Sequence, residues 1–159
     1  MTSDELLGIA REIVGKVQLC IVVSVAESGE ANARVVQPFP LGDDWSVAFI
    51  TSRSSRKAKE IARNGQLTLA YQHDEDGAYV SLVGRARIDA DADAKQACWR
   101  DSLNRWFPTG RDDPDAVVVR FETERVELWS LANAVMPPPK GLRAAVLVRD
   151  TSGWRATQT

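Results

Sequence analysis

The chain reads as a mainly β protein of the α+β kind: a small antiparallel barrel of six or seven strands with helices at its periphery. Three observations predict this. Short runs rich in β-branched residues recur along the chain, separated by turn residues and mostly in hairpin order. Only two or three stretches carry a helical period. No internal repeat and no second run of elements follows, so one core must serve them all.

Thr2 and Glu5 stand at capping-box spacing and open a helix, in which Leu6, Ala10, Ile13 and Val17 recur at helical intervals, with Gly15 as a stop. Residues 17–26 form a strand apolar on both faces, which predicts cover on both sides. A turn at 27–30 makes a hairpin with a second strand, 31–38. Leu41 to Asp44 turns the chain into a third strand, 45–50. A short basic helix follows and ends at Asn64-Gly65, a strong turn signal. Strands are predicted over 66–72 and 78–88, and Gly84 inside the latter suggests a bulge where a barrel bends. Asp89, Asp91 and Asp93 supply caps for another helix, along which Lys95, Trp99, Leu103 and Trp106 follow at spacings of three and four, placing both tryptophans near one face. A loop, 107–114, leads to a long strand, 116–131, with a charged middle at Glu122 to Glu124. Residues 135–139, with three consecutive prolines, suggest a stiff extended spacer. A last short strand over 142–149 and a fraying polar tail complete the chain. The whole of 1–159 is read as one domain, its core at about 5–131 and 132–159 a C-terminal extension.

With 159 residues the chain can bury a real core, and a net charge of −2 gives no global pull towards nucleic acid or a membrane. The longest apolar run, 19–26, is far too short to span a bilayer. The N-terminus carries acids and only a short apolar face, unlike a signal peptide. Cys20 and Cys98 lack metal-ligand spacing and read as buried free thiols, which suits a cytoplasmic location.

One stretch breaks a local rule. Ser54 or Ser55 is a good N-cap for the basic helix, yet Arg56 and Lys57 occupy its first turn and Arg53 precedes it. Cations at the positive end of a helix cost about 0.3–1 kcal/mol each. The conflict disappears if an anion belongs there, held by free N–H groups, by the hydroxyls of Thr51, Ser52 and Ser55, and by Arg56 and Lys57. A solvated basic patch is the plain alternative; the hydroxyls favour phosphate. Arg34, in the middle of the second strand, is either a solvent-facing edge arginine or a further cation for that anion. Trp106 and Phe107 leave a helix end and serve either the core or the lid of a planar ring ligand.

Other chemistries find little support. The single histidine, His73, sits in an acidic solvated turn, so no nucleophilic triad is predicted. Asp74 to Asp76 and Asp112 to Asp115 lack the remaining ligands of a calcium loop, so no metal is expected. There is no glycine-rich phosphate motif. Aromatics are not interleaved with cations as in a nucleic-acid surface. Catalytic residues are not legible.

The stretch from Thr51 to Ile61 resembles the flavin-phosphate segment of pyridoxamine 5'-phosphate oxidase-like proteins. Within that superfamily the chain is similar to the general stress protein 26 group, on the segments Tyr79 to Arg87, Trp106 to Pro114 and Val126 to Trp129. The resemblance runs from about residue 5 to about 130. It implies a split β-barrel homodimer with FMN at the dimer interface, and a flavin-dependent oxidoreductase or a non-enzymatic flavin-binding redox sensor. FAD and deazaflavin F420 are the alternative cofactors; haem is disfavoured by the lack of a suitable histidine. By position, Arg34, Thr51, Ser52, Arg56 and Lys57 match the phosphate cradle. Val35, Val36 and Gln37 lie where the backbone meets the ring, and Trp106 is placed as the ring's outer lid. The oxidase that names the superfamily follows its Glu-Phe-Trp strand end with a run rich in arginine and histidine. Here Glu127-Leu128-Trp129 is followed by Ser130 to Pro139, with no histidine and no arginine before Arg143, so that oxidase activity is not expected.

Overall fold

The computed structural model describes residues 1–157. Helix α1 (Ser3–Lys16) begins with the expected capping box between Thr2 and Glu5 and buries Leu6, Ala10, Ile13 and Val14. Gly15 lies inside it rather than ending it, because the backbone continues helically to Lys16. The strands are β1 (Cys20–Val25), β2 (Ala31–Val36), β3 (Ser46–Ser52), β4 (Gln66–His73), β5 (Ala78–Asp89), β6 (Ala116–Ser130), β7 (Ala145–Asp150) and β8 (Gly153–Thr157). Helix α2 (Arg56–Asn64) lies between β3 and β4, and α3 (Ala92–Ala97) follows β5. The eight strands form one antiparallel sheet in the order β2-β1-β4-β5-β6-β7-β8, with β3 paired to β6 off that path. The sheet curls without closing: an open, split barrel with α1 packed on β4, β5 and β8.

Strand β6 makes this architecture possible. Along one edge it pairs with β5 over nearly its full length. Along the other, Ala116 to Glu122 pairs with β3, and Arg125 to Leu128 pairs with β7. The charged middle expected at Glu122 to Glu124 is where the partner changes, so these carboxylates face solvent between two pairings. Opposite them the register of β5 shifts between Val83 and Gly84. A Cβ at Gly84 would lie 2.0 Å from the Glu122 carbonyl oxygen, so only glycine admits this approach.

Several expectations fail for physical reasons. β1 is buried on one face only; Ile21 is 43% exposed, because none of the described residues covers the outer face. The helix expected from 89 to 106 stops at Ala97. None of Ala92–Ala97 is buried, so no apolar face holds the helix to the sheet. Trp99 instead packs on Phe107 (ring centroids 5.9 Å) and donates to Asn104 Oδ1 (3.1 Å), and a 3-10 turn, Asp101–Arg105, leads to Trp106. Residues 135–139 are no extended spacer: Val135 bridges back to Ser130 and is buried, and Trp129 Nε1 donates to Met136 O (3.1 Å). In place of the expected fraying tail, Gly153–Thr157 adds the eighth strand, while residues 158–159 lie outside the described residues. There, Trp154 packs on Trp45 (5.5 Å), with Arg149 over Trp154 and Arg11 over Trp45. Cys20 is buried, but Cys98 is only partly so; both are free thiols. Among the described residues no helix is long and apolar enough to cross a membrane, and no cluster of three or more metal-ligating side chains exists.

Candidate functional site

The basic helix α2 starts as the sequence predicts. Ser55 is its N-cap, accepting from Ala58 N–H (3.3 Å), and no acid occupies the first turn. Gly65 ends the helix in the left-handed conformation that glycine allows. Apolar Ala58 and Ile61 seat α2 on the barrel, and Glu60 is carried inward beside them.

Around Glu60 a polar network joins α2 to β1 and β2. Glu60 is 7% exposed and accepts from Ser24 Oγ and from Asn32 Nδ2 (2.8 Å). Arg34 donates to Ser24 Oγ and to the Asn32 carbonyl (3.0 Å), and its guanidinium lies 3.7 Å from the Glu60 carboxylate. Arg56 approaches the same carboxylate at 3.9 Å from the preceding turn of α2. Although β2 is an edge strand, Arg34 is thus not a solvent-facing arginine: Asn32, Arg34 and Val36 share the half-buried face, and Val35 points outward. Burial pushes the Glu60 carboxyl up, but hydrogen bonds from Ser24 and Asn32 and the charges of Arg34 and Arg56 outweigh it, leaving it below the ordinary range. Burial lowers Arg34 from its usual value, against the pull of Glu60.

Lys57 is the unbalanced member. It is half-buried beside Arg34, and no carboxylate lies within 4.0 Å of it among the described residues. Burial first, and then the neighbouring Arg34 charge, hold its ammonium below the ordinary lysine range. Thr51 stands beside this helix start. It is 6% exposed, in line with buried Val47 and Phe49; its hydroxyl makes no hydrogen bond within the described residues and reaches the surface, since no buried side-chain N or O among them lacks a partner. An uncompensated lysine and a free hydroxyl around one helix start suit an anionic ligand with acceptor oxygens.

The other hydroxyls do not converge as expected. Ser52 and Ser54 are occupied by Asp115, just before β6: Asp115 accepts from the Ser52 hydroxyl and from Ser54 N–H (3.0 Å), and its own carbonyl accepts from Arg53 N–H (2.6 Å). The Ser55 hydroxyl is spent on its own helix. The candidate cradle therefore consists of Arg34, Thr51, Arg56, Lys57 and the first N–H groups of α2, and Ser52 and Ser55 shape it from behind. Sequence reasoning missed Ser24, Glu60 and Asp115. Glu60 had a signal, four residues after Arg56 and one before the apolar Ile61; Asp115 had none, because it arrives from sixty residues away.

Gln37, just beyond β2, opens onto a cavity of about 480 Å³ bounded also by Phe39, Leu41, Tyr71 and Arg100. Arg100 stacks over Phe39 at 3.9 Å and donates to Pro38 O (3.2 Å), tying the segment that carries Trp106 to the chain just beyond Gln37. Trp106 itself is 70% exposed, with Arg105 5.6 Å from its ring, so it is not a core residue; Phe107 is.

Comparison with known proteins agrees with this geometry. The family described as "Pyridoxamine 5'-phosphate oxidase like" matches residues 8–146. The chain is 31% identical over 111 residues to general stress protein 26 of Bacillus subtilis, covering 68% of this chain and 77% of the relative. A protein related to general stress protein 26 from Clostridium acetobutylicum superposes with a TM-score of 0.70 at 24% identity, over 81% of this chain and 91% of the other. PhzG of Burkholderia lata, solved with tetrahydrophenazine-1-carboxylic acid, superposes with a TM-score of 0.71 at 19% identity, over 98% of this chain and 89% of the other. At these identities the structural likeness speaks for the fold, the split β-barrel.

Proposed function

This chain belongs to the pyridoxamine 5'-phosphate oxidase-like family, and on that premise we propose that it binds FMN and works as a flavin-dependent oxidoreductase of the general stress protein type. The family is generally flavin-binding. The observation that carries the reading is the charge of the cradle. Three cations, Arg34, Arg56 and Lys57, gather at the start of α2 with one carboxylate, Glu60, which approaches Arg34 and Arg56 only. The surplus of two matches a phosphate monoester, about −1.5 to −2 near neutral pH.

Arg34 and Lys57 neutralise the phosphate, with Arg56 at the rim and the α2 N–H groups directed at its oxygens. The backbone of Val35, Val36 and Gln37 aligns the ring, and Trp106 covers its outer side. Bound there, the flavin supplies hydride or electron transfer. FAD or deazaflavin F420 would need further room beyond the phosphate. The cavity beyond Gln37 favours an enzyme over a flavin store or redox sensor, because its volume of about 480 Å³ leaves space for a second small molecule. Pyridoxamine 5'-phosphate is not that molecule, since no histidine or arginine follows Trp129 before Arg143. The working form is a homodimer: the exposed apolar row of Val35, Ile21 and Tyr79 on the outer sheet is covered by a second copy. Two free cysteines suit the reducing cytoplasm.

The test begins with the visible spectrum of the purified protein and the mass of the released cofactor. Replacing Arg56 and Lys57 together by alanine removes two charge-assisted contacts of about 1.5–3 kcal/mol each, so FMN affinity should fall at least about a hundredfold. Riboflavin binding should hardly change. Unaltered FMN affinity in the double variant refutes the cradle. Reduction of the holo-protein by NADH or NADPH in steady state separates enzyme from sensor.

A further inference from the structure

We propose that Asp115 is a positioning residue for the phosphate cradle: it holds the 52–55 turn in the shape that aims α2 at the ligand, without touching the ligand itself. The inference deepens the flavin reading and rests on it for the identity of the phosphate, but not for the geometry of the turn. Little within the turn fixes it. Arg53 and Ser54 are exposed, and the contacts internal to the turn are Ser55 N–H to Ser52 O (3.1 Å) and one between the Ser52 and Ser54 hydroxyls (2.8 Å). Ser52 is paired with Ala116 at the end of β3, and the turn's other hydrogen bonds ahead of α2 go to Asp115. The carboxylate accepts from the Ser52 hydroxyl, from Ser54 N–H (3.0 Å) and, more distantly, from the Ser54 hydroxyl (3.4 Å). Its main-chain carbonyl takes Arg53 N–H (2.6 Å). Asp115 is itself fixed, with its N–H donated to Asp113 Oδ1 (2.9 Å), and Asp113 receives Thr109 Oγ1 (2.8 Å) and, at its carbonyl, Lys95 Nζ (2.8 Å). The next residue after the turn, Ser55, is the N-cap of α2, so a displaced turn displaces Arg56, Lys57 and the N–H groups at the helix start.

Two readings of the same contacts compete. If Asp115 occupied the place of the ligand's phosphate, its charge would oppose FMN. The observed bonds argue otherwise: the carboxylate already accepts from the turn's donors, whereas Lys57, with no carboxylate within 4.0 Å among the described residues, is left for the ligand beside Arg34. A phosphate therefore meets Lys57 and Arg34, and Ser52 is unavailable to it.

The readout is selectivity, the ratio of riboflavin to FMN dissociation constants measured by flavin fluorescence. A role confined to stability would move the melting temperature and leave this ratio alone. Asp115→Ala should lower the ratio about tenfold or more, as expected for the loss of at least one well-placed phosphate contact. Asp115→Asn keeps an acceptor for Ser54 N–H and should stay within about threefold of the native ratio. An unchanged ratio in Asp115→Ala overturns the proposal, and so does tighter FMN binding in Asp115→Asn, which would mark the carboxylate as a competitor. A flavin-free arm separates this idea from the cofactor reading: thermal stabilisation by inorganic phosphate, against chloride at equal ionic strength. There the native protein and Asp115→Asn should be stabilised and Asp115→Ala should not. If neither flavin binds the native protein but this pattern holds, the cofactor reading falls and the positioning role stands. If phosphate stabilises all three alike, or none, the positioning role falls.

Discussion

At the scale of single residues, Lys57 exposes the conflict between stability and binding. Its ammonium is half-buried next to Arg34 with no carboxylate within 4.0 Å among the described residues, so the protein alone carries an electrostatic penalty there. Because burial and Arg34 lower its pKa in the fold, the penalty is full at neutral pH and fades only as pH rises towards the ordinary lysine value of about 10.4. Lys57→Met keeps the aliphatic bulk and removes the charge. Without ligand it should melt no lower than the native protein at pH 7, while FMN binding weakens about tenfold or more. Melting curves and titrations on one preparation check both, and a clear loss of ligand-free stability would show that Lys57 is a structural residue. The rule-breaking cations of α2 were legible in the sequence because helix polarity is a local property. Glu60 showed only its i,i+4 spacing from Arg56, and its role appears once Arg34 arrives on β2; Asp115 showed nothing until the start of β6 arrives beside the turn.

At the scale of elements, the C-terminal hairpin of β7 and β8 is a clasp on the barrel rather than a loose tail. Trp154 lies against Trp45, and the guanidiniums of Arg149 and Arg11 flank the two rings. Arg149 also donates to Asp44 O (2.9 Å), Arg11 to Gly42 O (3.0 Å), and Ala156 N–H to Ser3 Oγ (3.1 Å), so the hairpin, the turn before β3 and the start of α1 are fastened together. An aromatic pair and a cation over a ring are each worth roughly 0.5–1.5 kcal/mol beyond area burial. Trp154→Ala should therefore lower stability by about 2 kcal/mol in chemical denaturation. FMN affinity should not follow, because the clasp lies away from α2. A variant as stable as the native protein would mean that the hairpin is a passenger.

At the scale of the whole molecule, one chain leaves an outer sheet face uncovered. Ile21, Val35 and Tyr79 are 43%, 60% and 38% exposed; Ile21 lies directly opposite Val35, and Tyr79 opposite Trp129, with the two rings stacked at 6.4 Å. The apolar character of residues 17–26 on both faces predicts cover on both sides, and a second copy would supply the half that one chain lacks. Sedimentation velocity at micromolar concentration should find a dimer, more stable with FMN present by mass action. Ile21→Lys should shift the balance to monomer while the fold, judged by circular dichroism, persists. A native holo-protein that sediments as a monomer would remove both the dimer and a ligand site that depends on it.

The sequence by itself determined the antiparallel strand succession, the capped first helix, the bulge at Gly84 and the basic helix start, because each follows from local sterics, alternation or helix polarity. Tertiary structure decided the rest. It broke the helix after Ala97, since no residue of 92–97 found a buried face, and it made a strand of 153–157, since Trp154 found Trp45 and β7 offered an open edge. It folded 135–139 back on Ser130 and placed Trp106 in solvent rather than in the core. Above all it selected which polar groups meet. Hydrogen bonds and ion pairs reach only a few ångströms, so Ser24, Arg34 and Glu60, or Ser52 and Asp115, become partners only when strands far apart in the chain are laid side by side.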